Sequence, residues 1–321
     1  MAVRTKYELK LGAATREAFG KALVELGREH KDVVVLDADL SKSTMTAGFA
    51  KEFPDRFFEC GIAEANMISI AGGLAAAGKI PFASSFSCFL LNKGFEQMRV
   101  AVAYPNTNAK FVGTHSGISI GEDGPSQMSI EDLGLACSLP GFTVVSPADE
   151  ISMKAIVKAV AIHPGPVFVR AGRIKVAVIY NESQQFTVGK AIELQEGTDV
   201  TLIAHGLMVA EALKASDMLD SEGVSARVLD MHTIKPIDRE AIARAARETK
   251  AIVVAEEHLT ESGLGVRVAQ VVSQEAPCVM EYVGIENTYA ESGTPDGLLQ
   301  KYGLTAEKVA EAARKVVRRK S

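Results

Sequence analysis

Apolar residues recur at helical spacing over residues 15–30, and Val33-Val34-Val35-Leu36 then forms a β-branched run with no polar interruption. A period near 3.6 predicts an amphipathic helix, and a short unbroken apolar run predicts a strand buried on both faces. The alternation continues: residues 110–113, 142–145 and 167–169 predict further strands, with helical segments before or between them. Residues 67–77, MISIAGGLAAA, are apolar almost all round and predict a deeply buried helix. Strands this apolar, separated by helices, predict an α/β fold with a mostly parallel sheet flanked by helices.

The rhythm breaks near Tyr180. The stretch YNESQQFTVGKAIELQEGTD is polar and predicts a linker with a small β excursion. Strand and helix patterns then resume: strands at residues 200–204, 224–229, 252–255 and 279–283, and helices ending near 219, over 238–249 and over 305–317. Thr305 followed by Glu307 and Glu311 suits the start of the last helix. The predicted domains are therefore 1–180 and 181–321, each an α/β layer structure.

Composition narrows the class. Of 321 residues 47% are hydrophobic and 23% charged, which supplies large cores and argues against disorder. The net charge of −5 and the scattered basic residues argue against nucleic-acid binding. The basic tail, Arg314-Lys315 with Arg318-Arg319-Lys320, reads as the solvated end of a helix. Cys60, Cys88, Cys137 and Cys278 fit no CxxC spacing and read as reduced thiols beside the core. The start, MAVRTKYELKLG, lacks a leader's apolar run, and no uncharged apolar stretch reaches the ~18 residues of a membrane span. The expectation is a cytoplasmic protein.

Four segments carry candidate chemistry. LDADLSKST puts Asp37, Asp39, Ser41 and Ser43 after the first strong strand, where open parallel sheets bind ligands; turning the chain and capping a helix is the alternative. In CGIAEANM, Glu64 opens the apolar helix. Burial there would favour proton exchange, whereas exposure would make it a first-turn residue on the helix dipole. In PFASSFSCFLLNKGFEQMR, Phe86, Phe89 and Phe95 form either a platform for a flat ring or ordinary core. THSGISIGEDGPSQMSIEDL places His115 and the pair Glu122-Asp123 around a Gly-rich loop apex, where function is favoured over packing. That loop matches neither the P-loop nor GxGxxG.

Together the segments closely resemble the transketolase family, in particular its pyrimidine-binding domain and small terminal domain. The resemblance runs from ATREAFGKAL through RIKVAVIY and VLDMHTIKPIDREAI to EEHLTESGLG, and GIAEANM with GEDGPSQ is its most specific part. Gln127 marks the animal-type variant, since many other members carry His there. The resemblance implies thiamin diphosphate as cofactor and transfer of a two-carbon ketol unit between sugar phosphates. It implies that Glu64 hydrogen-bonds the aminopyrimidine ring and promotes its imino form, that Phe86 and Phe89 pack the ring, and that Asp39 stands at the cofactor side of the first loop. Arg16, Ser43 and Arg173 match positions that bind the sugar phosphate, with Arg170 in support. His115 and Asp123 match contacts to sugar hydroxyls and carbonyl, with Gln127 beside them. The other histidines, His30, His163, His205, His232 and His258, match no site residue, although His258 is placed to approach an interface.

The family grips the diphosphate through Mg²⁺ with a GDG motif followed ~25–30 residues later by an Asn pair. This chain has no such segment. The resemblance thus implies an amino-terminal partner subunit that holds most of the Mg²⁺ site, in an α₂β₂ assembly. The rivals are a 2-oxo acid dehydrogenase β subunit, a 1-deoxyxylulose 5-phosphate synthase-like half and a non-catalytic scaffold. MHTIKPID and EEHLTESGLG suit the first rival equally; GEDGPSQ with His115 and Arg173 favours transketolase.

Overall fold

In a computed structural model, which describes residues 9–320, strands and helices follow one another in a mostly alternating order. The first eight residues, used above for the leader reading, lie outside the described residues. β1 (Leu11–Ala14), α1 (Thr15–Glu29), β2 (Val33–Asp37), α2 (Ser41–Thr44), α3 (Ala47–Glu52) and β3 (Phe57–Glu59) come first. Next are α4 (Glu64–Ala76), β4 (Ile80–Phe86), α5 (Gly94–Gln97), β5 (Lys110–Thr114), α6 (Asp132–Ser138), β6 (Thr143–Val145), α7 (Glu150–Ile162), β7 (Val167–Arg170) and β8 (Lys175–Ala177). The remainder begins with β9 (Ile192–Gln195), β10 (Val200–Ala204), α8 (Met208–Asp220), β11 (Ala226–Asp230), β12 (Thr233–Lys235) and α9 (Arg239–Thr249). It ends with β13 (Ala251–Leu259), α10 (Leu264–Glu275), β14 (Val279–Ile285), α11 (Pro295–Lys301) and α12 (Ala306–Arg319).

Two main sheets result. The larger has the order β12-β6-β7-β5-β4-β2-β3, parallel except where β12 joins β6. The smaller runs β14-β13-β10-β11-β9, parallel except for the edge strand β9. A short antiparallel ribbon pairs β1 with β8. Because β12 comes from the second half of the chain, it ties that half to the edge of the first sheet. Helix α1 shows the sequence logic: Ala18, Phe19, Ala22, Leu23 and Leu26 are buried on one stripe.

The register decides where chemistry collects. Asp37 lies opposite Ser84, and Phe86 opposite Thr114, so the carboxyl ends of β2, β4 and β5 finish close together. That edge is where open parallel sheets receive ligands.

Three expectations change. β4 is a central strand that the sequence pattern hides, because Ser84 and Ser85 interrupt the apolar run yet are fully buried. Helix α4 buries only one stripe: Met67, Ile68, Ala71 and Gly72 are inside, while Ser69, Ile70, Gly73 and Ala76 are exposed. Gly72 allows the close approach, since a Cβ there would lie 2.5 Å from the Ala101 carbonyl. The basic tail is paired rather than merely solvated: Arg314 bonds Glu222 at 2.6 Å, Lys315 bonds Glu281 at 2.9 Å, and Arg319 also bonds Glu281.

Candidate active site

Glu64 is the first residue of α4, which turns its carboxylate inward beneath β4, where it is only 3% exposed. That excludes the exposed first-turn alternative. Its Oε1 accepts from the Ser85 hydroxyl at 3.3 Å, and its Oε2 lies 3.4 Å from Lys93 Nζ. Lys93 sits in a π turn, Phe89–Lys93, and its ammonium lies 4.2 Å from the Phe89 ring centroid. Such turns widen a helix by one residue and are frequent at functional sites.

Phe86 ends β4 and stacks on Phe89 with centroids 5.5 Å apart and planes 13° apart. The other neighbour of Phe86 is His115, stacked at 3.8 Å. Phe95, on α5, does not join this platform; it packs, half-buried, against the hydrophobic core. His115 follows β5 in left-handed backbone, φ 58°, and is buried. Burial, assisted by the Arg16 and Arg173 charges, pushes its pKa down to about 3, so the ring is neutral. Arg16 donates toward Nε2 at 3.5 Å, which leaves Nδ1–H to donate to the Thr114 hydroxyl at 2.9 Å.

The two arginines of the expected phosphate clamp come together beside this ring. Arg16 donates to the Ser43 carbonyl at 2.7 Å and to the Arg173 carbonyl at 3.4 Å. Arg173 donates to the Ile120 carbonyl and, at 3.1 Å, to Glu122. A continuous series therefore runs from Glu64 through Lys93, Phe89, Phe86, His115 and Arg16 to Arg173.

The structure does not bring Asp39, Asp123 and Gln127 into that series by their side chains. Asp39 is exposed with φ 62°, and its amide is held by Glu59 at 2.7 Å. Asp123 is exposed at the loop apex, and Gln127 contributes its carbonyl to the Cys88 thiol at 3.1 Å. Asp37 serves the turn instead: its carboxylate takes the Leu40 amide and the Thr44 and Thr46 hydroxyls, at 2.7–2.8 Å. Burial raises its pKa to about 6 against those bonds. All four cysteines are free, and burial pushes the Cys88 thiol up to about 12.

Arg170 is not part of the clamp. It is buried in an ion pair with Asp132 at 2.8 Å, and it donates to the carbonyls of Ser129 and Glu257 at 3.2 and 2.9 Å. His258 is buried in the same seam, where Nε2 accepts the Leu133 amide at 3.1 Å and Nδ1 lies 3.0 Å from the Leu259 carbonyl. His205 and His232 are buried against Ser146 and Thr233. Sequence reasoning passed over Lys93, Ser85, Asp132 and Glu257. The acidic pairs IED and EEH were visible, but only the fold shows that Asp132, Glu256 and Glu257 are buried together, while Glu131 stays partly exposed.

The description "Transketolase, pyrimidine binding domain" matches residues 12–178, and "Transketolase, C-terminal domain" matches residues 189–309. The chain belongs to the transketolase family. A putative transketolase C-terminal section from Methanocaldococcus jannaschii is 44% identical over 299 residues, covering 92% of this chain and 94% of that one. Human transketolase is 41% identical over 308 residues, which span 95% of this chain but 49% of the human protein. A solved structure described as "Split gene transketolase, inactive beta4 tetramer" has a TM-score of 0.91 at 49% identity, covering 97% of this chain and all of that one. This chain thus carries the pyrimidine-binding and C-terminal domains of a transketolase, and the rival families are not favoured. Membership implies thiamin diphosphate as the cofactor.

Proposed function

We propose that this chain supplies the pyrimidine half of a two-chain transketolase that moves a two-carbon ketol unit between sugar phosphates. An amino-terminal subunit would hold the diphosphate and most of the Mg²⁺ coordination, in an α₂β₂ assembly within the cytoplasm. The observation that carries this reading is the Glu64 carboxylate, buried beside the parallel Phe86–Phe89 pair, with hydrogen bonds of 3.3 and 3.4 Å that leave it open to a better donor. An acceptor next to a flat apolar face fits an aminopyrimidine ring. The bare stripe of α4, with Ile70 exposed at its middle and Ile62 just before it, supports burial against another chain.

Thiamin diphosphate, when bound, supplies the nucleophilic carbon and the electron sink. Glu64 holds and exchanges a proton at the ring nitrogen, and its burial keeps water from competing. Phe86 and Phe89 orient the ring, with Asp39 at the mouth of the first loop. His115, neutral and fixed in tautomer by Arg16 and Thr114, can meet a carbonyl or hydroxyl without adding charge. Arg16, Arg173 and Ser43 take the sugar phosphate, for which Arg173 must exchange Glu122 for the ligand. Asp123 and Gln127 border the sugar.

Ketol transfer from xylulose 5-phosphate to ribose 5-phosphate tests the proposal, using the chain alone, the chain with a pyrophosphate-domain subunit, and that pair carrying Glu64→Gln. Turnover should require both chains, and Glu64→Gln should reduce it by about 10²–10⁴-fold with the melting temperature unchanged. Robust turnover by the chain alone refutes the two-chain reading. Near-normal turnover by Glu64→Gln refutes the role of Glu64.

A further inference from the structure

The loop between His115 and Asp123 is held by a residue from the other sheet. Glu257, on β13, is buried, and its Oε1 accepts the Ser119 amide at 2.6 Å. The carboxylate also fills the hollow left by Gly117, where a Cβ would fall 2.1 Å from Glu257 Cδ. Gly117 has φ 80°, so glycine is needed there for conformation as well as for space. Its amide donates to the Ser129 carbonyl at 2.8 Å, and Arg170 binds that same carbonyl and the Glu257 carbonyl. Arg170 in turn is fixed by Asp132, which accepts the hydroxyl of Ser87, the residue after Phe86.

We propose that Glu257 is a positioning residue for substrate. It sets the height of the 115–123 loop above the carboxyl edge of the first sheet without touching the sugar. The inference rests on the reading of His115 and Asp123 as substrate residues. The loop departs from regular backbone at His115, Gly117 and Gly121, which all have positive φ, so its path is set by the contacts around it. Ser116, Gly117 and Ile120 are tied to Ala171, Ser129 and Arg173, and Glu257 adds the bond that holds the Ser119 amide and the steric stop at Gly117. A buried carboxylate is costly where an apolar side chain would fill the same space, which makes the choice of Glu specific to the loop.

The test uses the assembled holoenzyme carrying Glu257→Ala, Glu257→Gln, Gly117→Ala or His115→Asn. It compares kcat/KM for the sugar phosphate acceptor, calorimetric affinity for thiamin diphosphate, and melting temperature. Displacing a positioned group by ~1 Å costs up to about a hundredfold, so Glu257→Ala and Gly117→Ala should lower kcat/KM by about ten- to a hundredfold while cofactor affinity stays near wild type. Glu257→Gln keeps an oxygen for the Ser119 amide and should recover most of that loss. Normal kcat/KM in Glu257→Ala beside an impaired His115→Asn overturns the inference and leaves the substrate reading intact. Normal kcat/KM in His115→Asn overturns the substrate reading itself. Parallel losses of cofactor affinity and kcat/KM, or Glu257→Gln as impaired as Glu257→Ala, make Glu257 merely structural. Should Glu257→Ala not fold, Gly117→Ala decides, because it keeps every hydrogen-bonding group while its Cβ must push the loop and the Glu257 carboxylate apart; normal kcat/KM there overturns the inference.

Discussion

At His115, burial and charge act in the same direction. Desolvation removes the imidazolium form, and Arg16 and Arg173 repel what would remain of it, so the folded pKa is about 3. The unfolded ring titrates near 6.5. A depressed histidine favours the folded state above its unfolded pKa and surrenders that stability as pH falls toward the folded value. Between pH 7.5 and pH 5 the His115 contribution should fall by about 2 kcal/mol. His205 and His232 are also depressed by burial, so the wild-type curve sums several such groups. The useful measurement is therefore urea unfolding of His115→Asn against wild type at both pH values. The mutant should lose about 2 kcal/mol less on acidification; parallel losses would mean that the fold does not depress the titration of His115.

Elements hold the site through their ends more than through their middles. Asp149 shows how one side chain starts a helix and also anchors the exit of the first half. Its Oδ1 caps α7 by accepting the Ser152 amide at 2.8 Å, and its Oδ2 accepts the amides of Ile179 and Tyr180 at 2.8 and 3.0 Å. A cap contributes about 1 kcal/mol, and bonds to a charged acceptor about 1.5–3 kcal/mol. Asp149→Ala should therefore destabilise the chain by about 2–4 kcal/mol in chemical unfolding. It should also raise amide exchange at residues 179 and 180 more than elsewhere. Asp149→Asn, which still accepts hydrogen bonds, should cost less. Equal costs for the two would mean that helix charge, not bonding, explains the residue.

Across the whole molecule, the seam between the sheets is polar and buried. Burial works against the Asp132 charge, yet the neighbouring Arg170 holds its carboxyl below the ordinary range. Removing one member of a buried pair leaves the other charge stranded, at a cost of about 3–5 kcal/mol, whereas replacing both by apolar residues is often neutral. Arg170→Met alone should lower stability by about that amount, and Arg170→Met with Asp132→Leu should recover much of it. Near-additive losses in a double-mutant cycle would show that the pair is not coupled. Because the Asp132 pKa is depressed, its contribution is present above the unfolded carboxylate range and is lost as pH falls through the folded value.

Periodicity alone predicted the more apolar strands and the longer helices, but not β1, β3, β4, β8 or β12. The runs at Val33, Val167 and Val200 and the helix over residues 15–30 declare themselves because burial on one or both faces imposes its own spacing on a chain. The oddity of Glu64 ahead of an apolar helix and the Gly-rich loop after His115 were legible for the opposite reason: each breaks a local rule that packing would otherwise keep. Tertiary structure decided the rest. β4 was hidden because Ser84 and Ser85 interrupt its apolar run, and the group that bonds Ser85, Glu64, is remote in sequence. The expected all-round burial of α4 failed because hydrophobicity reports what a helix is suited to cover, not what covers it, and one stripe stays exposed. Arg170 was expected to support the clamp on the strength of the family resemblance, and only the fold brings Asp132 and the Glu257 carbonyl to claim it. Sequence determines which residues are costly to bury; the three-dimensional neighbours, set by sheet register and by the meeting of two halves, determine what each of them is for.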